Sequence, residues 1–254
     1  MSEITLGDVV IIGGGCYGTF YARQLLQARD RGKAEFARLL IVDHDPGCQF
    51  RRELHGADRC ELVTADWDRF FDTYLGDRSA HAELASPDVI VPSPLMPHLM
   101  YHWLVRRARA AWPGRLVETR PVREGPGTPY DQAAPDGTRY VSFADWLCPT
   151  HCIEPWLCPV TRAPRTWEMA DAVTSFTRRL GATGTVAGPV LFQCQHLVFG
   201  VGTFPVTQVL AGFDTVREAG AAGGAVDLPV ATLSSCHGAL NLLHLGPLGG
   251  GSDS

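Results

Sequence analysis

The sequence predicts an α/β fold, a parallel sheet with helices on both faces followed by a smaller cysteine-rich α+β region. Three observations carry this expectation. An apolar run, Asp8-Val9-Val10-Ile11-Ile12, leads directly into Gly13-Gly14-Gly15-Cys16-Tyr17-Gly18. Strand-like and helix-like segments then alternate, as they do where parallel strands are joined by crossover helices. The second half gathers cysteine and histidine, most densely from Cys148 to Cys158.

Each element has a local reason. A strand over 8–12 is short, apolar and β-branched, and a helix over 15–29 places Phe20, Tyr21, Leu25 and Leu26 at helical spacing. Leu39-Leu40-Ile41-Val42-Asp43 reads as a second strand, 61–64 as a third and 88–91 as a fourth. Helices are expected over 66–75 and 95–110, the latter carrying Leu95, Leu99, Trp103 and Leu104 on one face. A fifth strand at 115–119 is expected to join the same sheet, so that the strand ends surround one crevice. Residues 124–138, rich in Gly, Pro, Asp and Ala, suggest a linker or long surface loop. Beyond it come a helix over 167–180, extended segments over 190–199 and 230–233, a short helix over 206–211 and a loop over 219–225. The expected division is 1–123, 124–248 and a disordered tail over 249–254.

The glycine segment has the spacing G-x-G-x-x-G. Gly13 suits the tight turn, Gly15 close backbone approach to a pyrophosphate, and Gly18 close packing of the helix on the strand. The helix N-terminus then faces the anion. Over 8–119 the chain resembles the Rossmann superfamily of NAD- or FAD-binding proteins, and Ala22 and Leu25 follow Gly18 at offsets similar to those of two-dinucleotide-binding flavoproteins. The segment from Gly18 to Asp43 is longer than is usual there, and no later Gly-Asp flavin motif follows an apolar strand. The resemblance implies NAD(P) or FAD as cofactor, held by Gly13, Gly14, Gly15, Cys16, Tyr17 and Gly18, with Asp43 accepting from the ribose hydroxyls. Asp66, after the third strand, either faces the nucleotide or caps the helix before Trp67.

Composition narrows the partners. A formal net charge of −5 provides no basic stripe to neutralise phosphates, which argues against nucleic acid. No stretch approaches the roughly 20 apolar residues of a membrane span, and no secretory leader is apparent, so the expected location is cytoplasmic. Eight cysteines then read as thiols, catalytic groups or metal ligands before disulfides. Cys148, His151, Cys152 and Cys158 lie in one loop stiffened by Pro149, Pro155 and Pro159, with Cys194 and Cys236 as candidates for a further ligand. Thiolate and imidazole are ligands for zinc or an iron-sulfur cluster. The same residues also suit small buried groups beside Trp146, Trp156 and Trp167, or a redox-labile thiol pair. Ser234-Ser235-Cys236-His237 is a further metal or active-site candidate. No G-x-S-x-G elbow and no P-loop lysine is present. The expected function is a nucleotide-dependent oxidoreductase with a cysteine-ligated metal or redox centre, acting with a small-molecule substrate or an electron-transfer partner. The alternative is a non-catalytic NAD(P)-binding sensor.

Overall fold

A computed structural model describes residues 4–54, 56–76, 86–96, 98–149 and 152–248. His151 and the tail 249–254 lie outside the described residues. Among the described residues are six helices and twelve strands forming two mixed sheets. The chain divides into two compact units, neither continuous in sequence. The first comprises 1–99, 149–162 and 194–210, the second 100–148, 163–193 and 211–254. The chain first crosses from one unit to the other after residue 99.

The first unit begins with β1 (Ile4–Ile12), α1 (Cys16–Asp30), β2 (Ala34–Asp43), α2 (Gln49–Leu54), β3 (Cys60–Thr64), α3 (Trp67–Tyr74) and β4 (Val89–Val91). Val9 to Ile12, Leu39 to Val42 and all of β4 are buried without alternation, the pattern of parallel strands covered on both faces. Strands β3, β2, β1 and β4 lie side by side and parallel. Later chain returns to this sheet as β9 (Gln195–Val198) and β10 (Val201–Pro205), and β10 pairs antiparallel with β4. The turn between them, at Phe199, is tied to α1 by the Gln24 side-chain amide, which donates to the Phe199 carbonyl at 3.1 Å. The expected segment 190–199 is thus two strands in different sheets, with the chain passing between units after Gln193.

The second unit holds β5 (Val117–Arg120), β6 (Tyr130–Ala133), β7 (Arg139–Ser142), α5 (Met169–Gly181), β8 (Val190–Gln193), β11 (Val226–Leu233) and β12 (His237–Leu245). Helix α4 (Leu99–Ala111) belongs to it apart from its first residue. Helix α6 (Val206–Ala221) begins in the first unit and continues in the second. The expected fifth strand does not extend the first sheet. β5 pairs antiparallel with β12 in the second. Its burial is partial beyond Val117, which suits a half-solvated antiparallel strand better than a doubly covered parallel one. The segment 124–138 is also more structured than a linker: β6 and β7 form an antiparallel pair whose turn uses Gly137 at φ 86°. The helix expected over 206–211 continues to Ala221, so the alanines at 219 and 221 end a helix before Gly223 turns the chain at φ 78°.

Buried Arg115, 7% exposed, fastens the second unit where α6 ends. Its guanidinium donates to the carbonyls of Gly220 at 2.7 Å, Gly224 at 2.6 Å and Gly246, and stacks 5.3 Å from the Trp112 ring. One planar cation thus satisfies acceptors from three places in the chain. No helix among the described residues is long and apolar enough to cross a membrane. Replacing Arg115 with Ala leaves these buried carbonyls without their charged donor, and each such bond contributes about 1.5–3 kcal/mol. Urea unfolding of Arg115→Ala is expected to show a loss of about 3 kcal/mol or more, with Arg115→Lys intermediate because a point charge cannot span three acceptors.

Candidate functional site

The glycine loop joins β1 to α1. Gly13 turns the chain at φ 85° and donates its N–H to the Val42 carbonyl at 2.9 Å. The Gly14 N–H donates to Asp43 Oδ2 at 2.6 Å, and the Gly14 carbonyl accepts from the Phe50 N–H at 2.8 Å. The segment after β2 therefore underpins the loop. Cys48 lies beneath it, with Sγ only 2.5 Å from where a Gly14 side chain would begin.

The three motif glycines have different reasons. A Cβ on Gly18 would sit 1.8 Å from the Gly13 carbonyl oxygen, so the first turn of α1 can rest on the loop only without a side chain there. Gly13 needs its positive φ. Gly15 has neither constraint: as N-cap of α1 its φ is −76°, and a Cβ would meet nothing within 4 Å. No side chain caps this helix, its first turn has no acidic residue, and Gly15, Cys16 and Tyr17 are exposed.

Asp43 ends β2 as expected, but it is buried at 8% exposure and its carboxylate serves the chain itself. Oδ2 accepts from Gly14 and Oδ1 from the Asp45 N–H at 2.8 Å. Exposed His44 and Asp45 follow immediately, and sequence reading passed over both. Asp66 is the N-cap of α3: its Oδ1 accepts from the N–H groups of Asp68 at 3.0 Å and Arg69 at 3.2 Å. The parallel pairing of β1, β2, β3 and β4 brings Gly13, His44, Ala65 and Pro92 to the same edge of the first sheet.

The cysteines are divided. Cys152, Cys158 and Cys194 belong to the first unit, and Cys148 and Cys236 to the second. Among the described residues no three His, Cys, Asp or Glu side chains are gathered as one metal ion requires. Cys152 Sγ accepts from the Glu154 N–H at 3.3 Å. Burial, with nearby Glu154, pushes the Cys194 thiol up to about 12. Cys158 is the opposite case: donors from the Thr161 backbone and hydroxyl and the Val160 backbone hold its thiol below the usual range. Cys236 Sγ accepts from Trp167 Nε1 at 3.3 Å, under the stacked Phe143 and Trp167 rings and the edge-on Trp146.

Two outcomes follow. Gly18→Ala is expected to cost about 1–3 kcal/mol by thermal or urea unfolding, because the clash is with backbone rather than a movable side chain. With iodoacetamide at pH 8, native protein is expected to label at Cys158 well before Cys194, read by peptide mass mapping, since only the thiolate reacts.

The comparisons with known proteins add one finding. No curated protein and no solved structure matched the chain. Residues 100–246 match a family model described as "Uncharacterized protein, C-terminal domain", a match that starts where the second unit starts and covers more than half the chain. The chain therefore belongs to the AF_1314_C family.

Proposed function

We propose that the first unit binds an adenine dinucleotide, NAD(P) or FAD, and that the protein is a nucleotide-dependent oxidoreductase. The observation that carries this reading is Gly15. It is exposed at the start of α1, its backbone angle is open to any residue, and among the described residues no atom beyond its chain neighbours lies within 4 Å of where a Cβ would stand. A ligand that must come closer than a Cβ permits is a reason for glycine there, and the pyrophosphate of a dinucleotide is such a ligand. The uncapped first turn of α1 supplies donors to that anion, and the absence of acidic side chains from that turn leaves the local field favourable.

Sheet order supports the same reading. The parallel order β3-β2-β1-β4 is that of one half of a doubly wound sheet together with the first strand of the other half, and ligands of such sheets lie beyond the carboxyl ends where the order reverses, here between β1 and β4. Asp43 then acts mainly by holding Gly14 in place, and exposed Asp45, whose Oδ1 accepts from the Gly47 N–H at 2.8 Å, offers its other oxygen to the ribose hydroxyls. The bound cofactor supplies hydride transfer, while the chain binds and orients it. Carboxylates at 43 and 45 disfavour a 2′-phosphate by like-charge repulsion, so NAD is expected to bind more tightly than NADP.

Titration calorimetry of the whole chain tests the reading. NAD or FAD is expected to bind, and Gly15→Val to weaken binding at least about tenfold, or 1.4 kcal/mol, with an unchanged melting temperature because the added side chain enters open space. Equal affinity of wild type and Gly15→Val for NAD, NADP and FAD contradicts the binding proposal. Binding without turnover of a reduced nicotinamide by an artificial electron acceptor identifies a nucleotide sensor in place of an oxidoreductase.

A further inference from the structure

We infer that Cys148, His237 and Ser142 form a nucleophilic site in the second unit, with Cys148 as nucleophile, His237 as its base and Ser142 as the group that sets the imidazole tautomer. The site takes an activated acyl group, a thioester with an apolar acyl chain. It lies within the family-matched region and does not depend on the dinucleotide reading.

Strand register builds it. β12 pairs antiparallel with β7 so that His237 lies directly opposite Ser142, and the Phe143 N–H continues the ladder to the Cys236 carbonyl at 2.9 Å. The turn from β11 to β12 is closed by the Ser234 N–H donating to the His237 carbonyl at 2.8 Å and the His237 N–H donating to Ser234 Oγ at 3.3 Å. The histidine backbone is therefore held from both sides.

Hydrogen-bond arithmetic fixes the protons. The Ser142 hydroxyl donates its one hydrogen to the Ala144 carbonyl at 2.8 Å, and its oxygen accepts from the Ala144 N–H at 2.9 Å. Toward His237 Nδ1, 2.9 Å away, that oxygen can only accept. Nδ1 thus carries the ring proton and Nε2 presents a lone pair. Cys148 Sγ is 3.7 Å from Nε2, within reach for transfer of the thiol proton. A nucleophile beside a base that a third group orients is the arrangement that activates a cysteine.

The reaction balances without a further reagent. Nε2 takes the Cys148 proton, the sulfur forms a bond to the acyl carbon, and the carbon–sulfur bond to the leaving thiol breaks. The imidazolium then returns its proton to that departing thiolate, leaving an acyl-Cys148 thioester and a free thiol. An apolar acyl chain suits the exposed apolar side chain next to the nucleophile, whereas Phe143 and Trp167, stacked at 5.7 Å, and Cys236, held by Trp167, belong with the neighbours of Ser142 and His237 on the opposite face. Leu147, beside the nucleophile, is 96% exposed.

The test uses the full chain, the phenylacetyl thioester of N-acetylcysteamine, and peptide mass mapping of all cysteines. One phenylacetyl group is expected on Cys148, with His237→Ala lowering its rate at least tenfold. Ser142→Ala is expected to lower it severalfold and move its pH profile to higher pH, and Ser142→Thr to restore both. Iodoacetamide labelling provides a parallel reading, in which Cys148 slows in His237→Ala while Cys158 labels at an unchanged rate. Mapping of the unmodified protein stands even where a variant fails to fold. The inference is overturned if Cys148 acquires no phenylacetyl group, or acquires it at the rate of an ordinary thiol. It is equally overturned if Cys148 reacts only after a chelator strips zinc, since the sulfur is then a metal ligand.

Discussion

The contact on which the first unit's loop depends is the one between Gly18 and the Gly13 carbonyl. A helix that must start within a few residues of its strand has to lay its first turn over the connecting loop, and here the space left is smaller than a methyl group. Everything at that edge of the sheet follows from the approach. Gly14 is held between Asp43 and Phe50, Cys48 fills the volume below it, and Gly15 stands exposed at the head of α1. The loop is thus rigid on the side facing the chain and open on the other. Under the proposed function that openness is where the pyrophosphate lies.

The second unit is organised by pairing along β12. One edge of this strand meets β11 from Gly238 to Leu245, while the other is shared, β7 taking His237 to Leu240 and β5 taking Leu242 to Leu245. Sharing an edge in this way leaves Arg139, the first residue of β7, and Arg120, the last of β5, at the junction along β12, and puts the far end of β7 opposite the first residue of β12. Ser142 is that far end, and the loop after it brings Cys148 Sγ to 3.7 Å from His237 Nε2. The inferred nucleophilic site is a consequence of this register. A slip of one residue would turn Ser142 to the opposite face and leave the imidazole unoriented.

The first unit was the more legible in sequence because its signals are local. A continuous apolar strand, a glycine turn and a periodic helix each lie within a dozen residues, and β1, α1, β2, β3, α3 and β4 occur close to where those patterns place them. What escaped was decided by distant partners. β5 reads as one more strand of the first sheet until its pairing with Leu242 to Leu245 is known. The segment from Val190 reads as one extended run although it contributes to two sheets. The cysteines show the limit most clearly: density in a proline-stiffened loop suggested a single centre, yet among the described residues no three His, Cys, Asp or Glu side chains are gathered for a metal ion, and Cys148 Sγ lies 3.7 Å from His237 Nε2. Ser234-Ser235-Cys236-His237 drew notice by composition alone, and its partner, Ser142, could be found only through strand register. Asp43 ends β2 where the sequence placed it, and its carboxylate accepts from the Gly14 and Asp45 N–H groups, contacts that no local pattern announces.

Hydrogen exchange of the whole chain, with and without saturating NAD or FAD and followed peptide by peptide, tests the dinucleotide account most directly. The account predicts slower amide exchange at residues 13–20 and 43–48 on adding at least one of these nucleotides, with no comparable change along β11 and β12. Unaltered exchange at the glycine loop at millimolar concentrations of both would contradict it.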